Sequence, residues 1–266
     1  MTVVTNNIKL FVFDLDGTAL GGHTPYHRFS EGFVNLLHDL DNMGVKWATN
    51  TTWGLEMQES LILNSCVKSE PAFLCGGTGS TLGKIERGRL LQDKEYNQAV
   101  IERDKAFRAE HWQQVREVCQ SLLGHDAVEE LAYDSQNILS FRVRPDHLER
   151  VENILFPLLE GGRFYRFDPQ NIVSVSLLPH YMNKGRIMAF MEKRLGLSPE
   201  SIIVAGDGHN DLPMFLPELA SFMVCPGNAC AELKQAALSA GGYVSEHSFS
   251  EGVTEGVRTV LGRNGV

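Results

Sequence analysis

The sequence predicts an α/β fold: a doubly wound, mostly parallel sheet interrupted by an inserted α+β unit. Three observations carry this. Short, wholly apolar runs alternate with helical patterns from Leu10 to Cys75, the texture changes to paired strands and charged helices, and the alternation resumes at Lys184. Strands joined through helices build parallel sheets buried on both faces, so their strands read as unbroken apolar runs.

Leu10-Phe11-Val12-Phe13 is such a run and stops abruptly at Asp14. A helix is predicted from Ser30 to Met43, with Ser30 as its N-cap, an apolar stripe of Phe33, Leu36, Leu37 and Leu40, and Gly44 as the stop. Val45–Ala48 reads as the second strand, 54–63 as a helix and Ala72–Cys75 as the third strand. The charged helix 97–123, strands within 132–143, the helix 145–159 and a strand pair in 164–178 belong to the insert. A helix at 184–195, strands at 201–205 and 222–224, and helices near 229–237 and 251–261 complete the chain. The predicted division is therefore a discontinuous core, 1–83 and 181–266, around an inserted cap, 84–180.

The formal net charge of −9 disfavours the phosphate backbone of nucleic acids as a partner. The five cysteines are odd in number, widely spaced and without a C-x-x-C, which argues for reduced thiols rather than a disulfide framework or a zinc site. The polar segment Met1–Lys9 lacks a signal-type apolar stretch and no apolar run reaches membrane-span length, so a cytoplasmic location away from the membrane is expected.

In doubly wound sheets ligands bind beyond the carboxyl ends of the strands. Asp14-Leu15-Asp16-Gly17-Thr18 starts at such an end. A carboxylate there can attack phosphorus without a base, and a second two residues on can exchange protons with the leaving oxygen and with water. Gly206-Asp207-Gly208-His209-Asn210-Asp211 follows another apolar strand. Four aspartates on one rim repel one another unless a hard cation sits among them, which with a phosphate substrate points to magnesium. Thr49 lies at a third strand end, and Lys184 opens a helix, where its charge opposes the helix dipole. Other signals are set aside. Gly76–Ser80 lacks the Walker A residues at Thr78 and Ile85 and reads as a turn between core and cap. His23, His27, His209, Arg142, Arg144 and Arg166 read as loop or solvated-face residues.

These motifs, in this order, resemble the haloacid dehalogenase (HAD) superfamily of phosphatases. Within it the chain is similar to the branch with a large α/β cap between the second and third motifs, which includes sucrose-phosphatase-like enzymes, other sugar phosphatases and phosphomannomutases. The resemblance implies a HAD-like Rossmannoid core with Asp14 as nucleophile and Asp16 as acid/base. It implies Mg2+ held by Asp14 and Asp207 through side chains and by Asp16 through its carbonyl, with Asp211 in the outer shell. Thr49, Asn50, Lys184 and Asn210 would contact the phosphoryl group. The second motif departs from the pattern: Thr49-Asn50-Thr51 stands where many relatives have Thr-Gly-Arg. A small phosphorylated metabolite, above all a sugar phosphate, is the expected substrate. A phosphotransferase or mutase using the same aspartyl-phosphate, or a non-catalytic binding protein, are the alternatives.

Overall fold

The protein is described by a computed structural model over residues 7–22, 26–122, 130–133, 139–167 and 173–263; His23 lies outside these residues. From the N-terminus run β1 (Leu10–Phe13), α1 (Glu31–Asn42), β2 (Lys46–Asn50), α2 (Leu55–Asn64), β3 (Phe73–Gly76), β4 (Thr81–Glu86) and β5 (Arg89–Gln92). The insert follows as α3 (Lys94–Leu122), β6 (Glu130–Tyr133), β7 (Leu139–Val143), α4 (Pro145–Leu159), β8 (Glu160–Phe167) and β9 (Val173–Pro179). Then come α5 (Lys184–Leu195), β10 (Ile202–Ala205), β11 (Phe222–Cys225), α6 (Ala231–Ser239), β12 (Tyr243–Val244) and α7 (Phe249–Arg263).

The larger unit is 1–93 with 184–266. Its sheet has the order β12-β11-β10-β1-β2-β3-β4-β5. The strands from β12 to β3 are parallel, and β4 and β5 extend the edge as antiparallel strands. β1 and β10 are buried at every position, as their unbroken apolar sequence requires. Phe13 anchors one face: its ring lies 5.1 Å from Phe33 in an edge arrangement and 5.9 Å from Trp47 in a stacked one. Ser30 caps α1 by accepting from the Phe33 N–H, so the cap and the apolar stripe meet at one turn.

The smaller unit is 94–183. Its antiparallel sheet has the order β6-β7-β9-β8. Val115, Val143, Val151, Leu155, Leu159 and Leu178 are among its core residues.

Residues 84–92, assigned from sequence to the insert, instead finish β4 and form β5 in the larger sheet. The turn joining them has positive φ at both Arg87 (53°) and Gly88 (70°), the two-residue hairpin geometry that matches strand twist. Arginine is an uncommon first residue for such a turn, so the hairpin was not legible. Gly76–Ser80 is likewise not a link between units; it is a tight turn from β3 into β4, with Thr78 buried at φ 54°.

Phe33→Ala removes a fully buried ring that touches both Phe13 and Phe29. It is expected to cost about 3–5 kcal/mol of stability, read as a lower urea midpoint at unchanged slope.

Candidate active site

β1 and β10 are adjacent and parallel, with Phe13 opposite Ala205. The residues leaving these strands, Asp14 and Gly206-Asp207, therefore emerge side by side. The Asp14 N–H continues the ladder by donating to the Ala205 carbonyl at 3.1 Å. On the other side Phe13 is opposite Thr49 of β2. The parallel register alone thus gathers the first, second and fourth sequence motifs.

Lys184 joins them from the start of α5. Its side chain is completely buried, and Nζ lies 2.6 Å from Asp211 Oδ1 and 3.0 Å from Asp14 Oδ1. Burial alone would lower its pKa, but the two carboxylates prevail and hold the ammonium above its ordinary value. Asp14 Oδ1 also accepts from the Leu15 N–H at 2.7 Å. Asp211 is held through its other oxygen: Oδ2 accepts from the Asp207 and Gly208 N–H groups, both at 2.9 Å. Asp207 Oδ1 accepts from the Thr18 hydroxyl at 2.7 Å.

Two glycines make this closeness possible. A Cβ at Gly17 would stand 2.1 Å from Asp207 Oδ2, and Gly17 has φ +77°. A Cβ at Gly206 would stand 2.6 Å from the Asp211 carboxyl carbon.

Carboxylate oxygens of Asp14, Asp207 and Asp211 lie within 4.8 Å of one another. Three carboxylates against one ammonium leave two negative charges uncompensated. Burial, and then the neighbouring Asp211 charge opposed by Lys184, raises Asp14 from 3.8 to about 7. Burial and the Asp211 and Asp14 charges raise Asp207 from 3.8 to about 8. An all-oxygen donor set with an excess of two negative charges fits Mg2+. Asp211 already accepts three hydrogen bonds, so Asp14 and Asp207 have more free lone pairs for a cation.

Asp16 does not join that cluster. Its Oδ2 instead accepts from the Trp53 indole N–H at 2.6 Å. Thr49 is in place but donates its hydroxyl to Gln58 Oε1 at 2.5 Å. Gln58 is itself fixed, because its amide nitrogen lies 3.0 Å from the Trp53 carbonyl and 3.4 Å from that of Cys75. The side chain of Asn50, expected to contact phosphate, is committed elsewhere. Its amide nitrogen faces the Lys184 carbonyl and Met214 sulfur, and Oδ1, an acceptor that would repel phosphate oxygens, is the buried atom left over. Asn50 thus ties β2 to the start of α5. Asn210 is nearly buried, its Oδ1 2.6 Å from where a Gly208 Cβ would be. Trp53 and Gln58 escaped the sequence reading because neither is a motif residue; their roles arise from contacts between α2, the loop before it and β1.

A family profile described as sucrose-6F-phosphate phosphohydrolase matches residues 7–259. The chain belongs to this family. It is thereby placed among phosphoric monoester hydrolases, with the fold of the HAD hydrolases. Over 253 residues, covering 95% of this chain and 97% of the relative, it is 25% identical to a phosphoglycolate phosphatase of Methanopyrus kandleri. A phosphoglycolate phosphatase of Thermoplasma volcanium is 40% identical over 80 residues, and there the chain spans only about a third of the relative (33%). The sucrose-phosphatase structure from Synechocystis, which contains sucrose and phosphate, superposes with TM-score 0.64 at 20% identity, covering 94% of this chain and 97% of that one. No helix among the described residues is long and apolar enough to cross a membrane.

The charge balance sets a pH dependence for the metal-free protein. With folded pKa values of about 7 and about 8 against 3.8 before the shift, Asp14 and Asp207 bind more protons in the folded than in the unfolded chain across that window. Stability therefore falls as pH rises from about 4 to about 8. Thermal unfolding in chelator is expected to show this decline, and added Mg2+ to raise Tm more at pH 8 than at pH 5.

Proposed function

We propose that the protein is a Mg2+-dependent phosphatase that hydrolyses a small phosphorylated metabolite, most plausibly a sugar phosphate, through an aspartyl-phosphate on Asp14. The observation that carries this is the buried Asp14–Lys184–Asp211 chain beside Asp207, at the carboxyl edge of a parallel sheet. That constellation has little use in a binding module, since enclosing an ammonium between buried carboxylates is costly unless the charge acts on something.

Both donors to Asp14, the Leu15 N–H and Lys184, engage Oδ1, leaving Oδ2 free of protein donors among the described residues. Oδ2 attacks phosphorus in line with the ester oxygen. As the P–O ester bond breaks, the leaving oxygen takes a proton from Asp16. Asp16 then removes a proton from water, whose oxygen attacks the acyl phosphate, releasing inorganic phosphate and restoring the Asp14 carboxylate. Lys184 balances charge on the phosphoryl oxygens throughout. Bound at Asp14, Asp207 and the Asp16 carbonyl, Mg2+ would supply charge screening between nucleophile and phosphate. Trp53 anchors Asp16 through Oδ2, which leaves Oδ1 to carry the proton.

In this reading Thr49 and Asn210 support the phosphoryl group. The family description and the Synechocystis neighbour favour a sugar phosphate, and the archaeal relatives bring phosphoglycolate into the same test.

The test is phosphate release from a panel of sugar phosphates and phosphoglycolate, with Mg2+ or chelator. Mg2+-dependent release that disappears in Asp14→Asn is expected; release that survives the substitution would exclude Asp14 as nucleophile, and an isomerised sugar phosphate without free phosphate would mark a mutase. Trp53→Phe keeps an aromatic side chain, though a smaller one, and removes the N–H to Asp16. It should lower kcat roughly 10- to 100-fold, the worth of a hydrogen bond to a charged group, with little change in KM.

A further inference from the structure

A second cluster of metal-binding groups lies beside the fourth-motif turn and takes no part in the chemistry above. His209, Cys230 and Glu232 each offer a ligand atom, and the three atoms lie within 4.8 Å of one another. His209 Nε2 and Glu232 Oε2 are 3.3 Å apart. Two donors bound to one tetrahedral zinc ion would be separated by roughly 3.4–3.7 Å, given bonds of about 2.0–2.3 Å. The His209–Glu232 separation is already close to that spacing, and the Cys230 sulfur lies within 4.8 Å of both.

The backbone is already organised for it. Cys230 occupies the N-cap position of α6 in extended conformation, and its sulfur is held between the Leu233 N–H and the Glu232 carboxylate, which keeps it beside that ligand. Its N–H instead donates to the Asp207 carbonyl at 2.8 Å, which fixes Cys230 against the turn that bears His209. The loop leading into α6 is pinned on three sides. Asn228 donates to the Gly17 carbonyl and accepts from the Phe249 N–H, and Lys234 donates to the Gly227 carbonyl. Ligands on a rigid frame lose little entropy on closing around an ion.

Ligand chemistry separates this cluster from the oxygen-only site. Asp14, Asp207 and Asp211 suit a hard cation, whereas a thiol, an imidazole and one carboxylate select a borderline or soft divalent ion. A thiolate and a carboxylate together neutralise such an ion, the Cys230 proton passing to solvent, and three protein ligands leave the fourth position to water.

We propose that His209, Cys230 and Glu232 form a binding site for a zinc-type divalent ion, distinct from the Mg2+ site and clamping the fourth-motif turn to α6. His209 lies two residues after Asp207 and immediately before Asn210, so an ion there restrains the turn from which both project.

Cobalt(II) tests this directly in the full-length protein with Mg2+ in excess, so that the oxygen site is filled. One equivalent should bind with visible bands of tetrahedral cobalt and a near-ultraviolet thiolate-to-cobalt charge-transfer band. Asp14→Asn should retain that spectrum. Cys230→Ser should lose the charge-transfer band, and His209→Ala and Glu232→Gln should each weaken binding at least tenfold; Glu232 is largely exposed, so its change leaves folding intact. Zinc should displace the cobalt and raise Tm. Absence of the charge-transfer band, its persistence in Cys230→Ser, or unchanged affinity in both His209→Ala and Glu232→Gln would overturn the proposal. These outcomes do not depend on phosphatase activity.

Discussion

The larger unit is organised around a buried ammonium. Lys184 is wholly enclosed, and removing such a charge from water costs several kcal/mol unless close partners restore what hydration supplied. Asp14 and Asp211 do so, each through one oxygen. Their pairing dictates much else. It requires α5 to start at the edge where β1 and β10 end. It requires Asp211 to turn back onto the Asp207 and Gly208 amides. Beside it, the Asn50 amide donates to the Lys184 carbonyl. Loss of either carboxylate would leave the buried lysine underpaired, so these residues bear on stability as well as on chemistry.

The same pairing leaves the site with too much negative charge. Lys184 compensates one carboxylate among three, and burial withholds the solvent that would screen the rest. The fold tolerates this because glycine at 17 and 206 allows the aspartates to approach, and because amide and hydroxyl donors hold each of them. The result is a site strained electrostatically rather than sterically. Asp16 is held apart from the three clustered carboxylates by its bond to Trp53.

The second donor cluster differs in kind although it shares the fourth-motif turn. Its sulfur and nitrogen atoms come from the loop before α6 and from His209, one residue short of Asn210. Two sets of ligands of different hardness on one short turn give that turn two sources of restraint. The composition argument against zinc rested on cysteine spacing, which is blind to a site assembled from one cysteine and residues elsewhere in the chain.

The sequence by itself determined the alternating pattern and the four motifs. A strand buried on both faces must be an apolar run, and a carboxylate at its end marks where the run stops. The bounds of α4 and α5, Pro145–Leu159 and Lys184–Leu195, were also legible, because a proline start and apolar stripes are local signals. Tertiary structure decided what depends on contacts between distant segments. β4 and β5 joined the larger sheet because pairing with β3 is a long-range choice. Asn50 turned its amide to the Lys184 carbonyl, and Thr49 its hydroxyl to Gln58. Trp53 met Asp16, and Cys230 met His209, across separations of 37 and 21 residues. A residue's type sets which bonds it can make; only the folded chain determines which partner is near enough to make them.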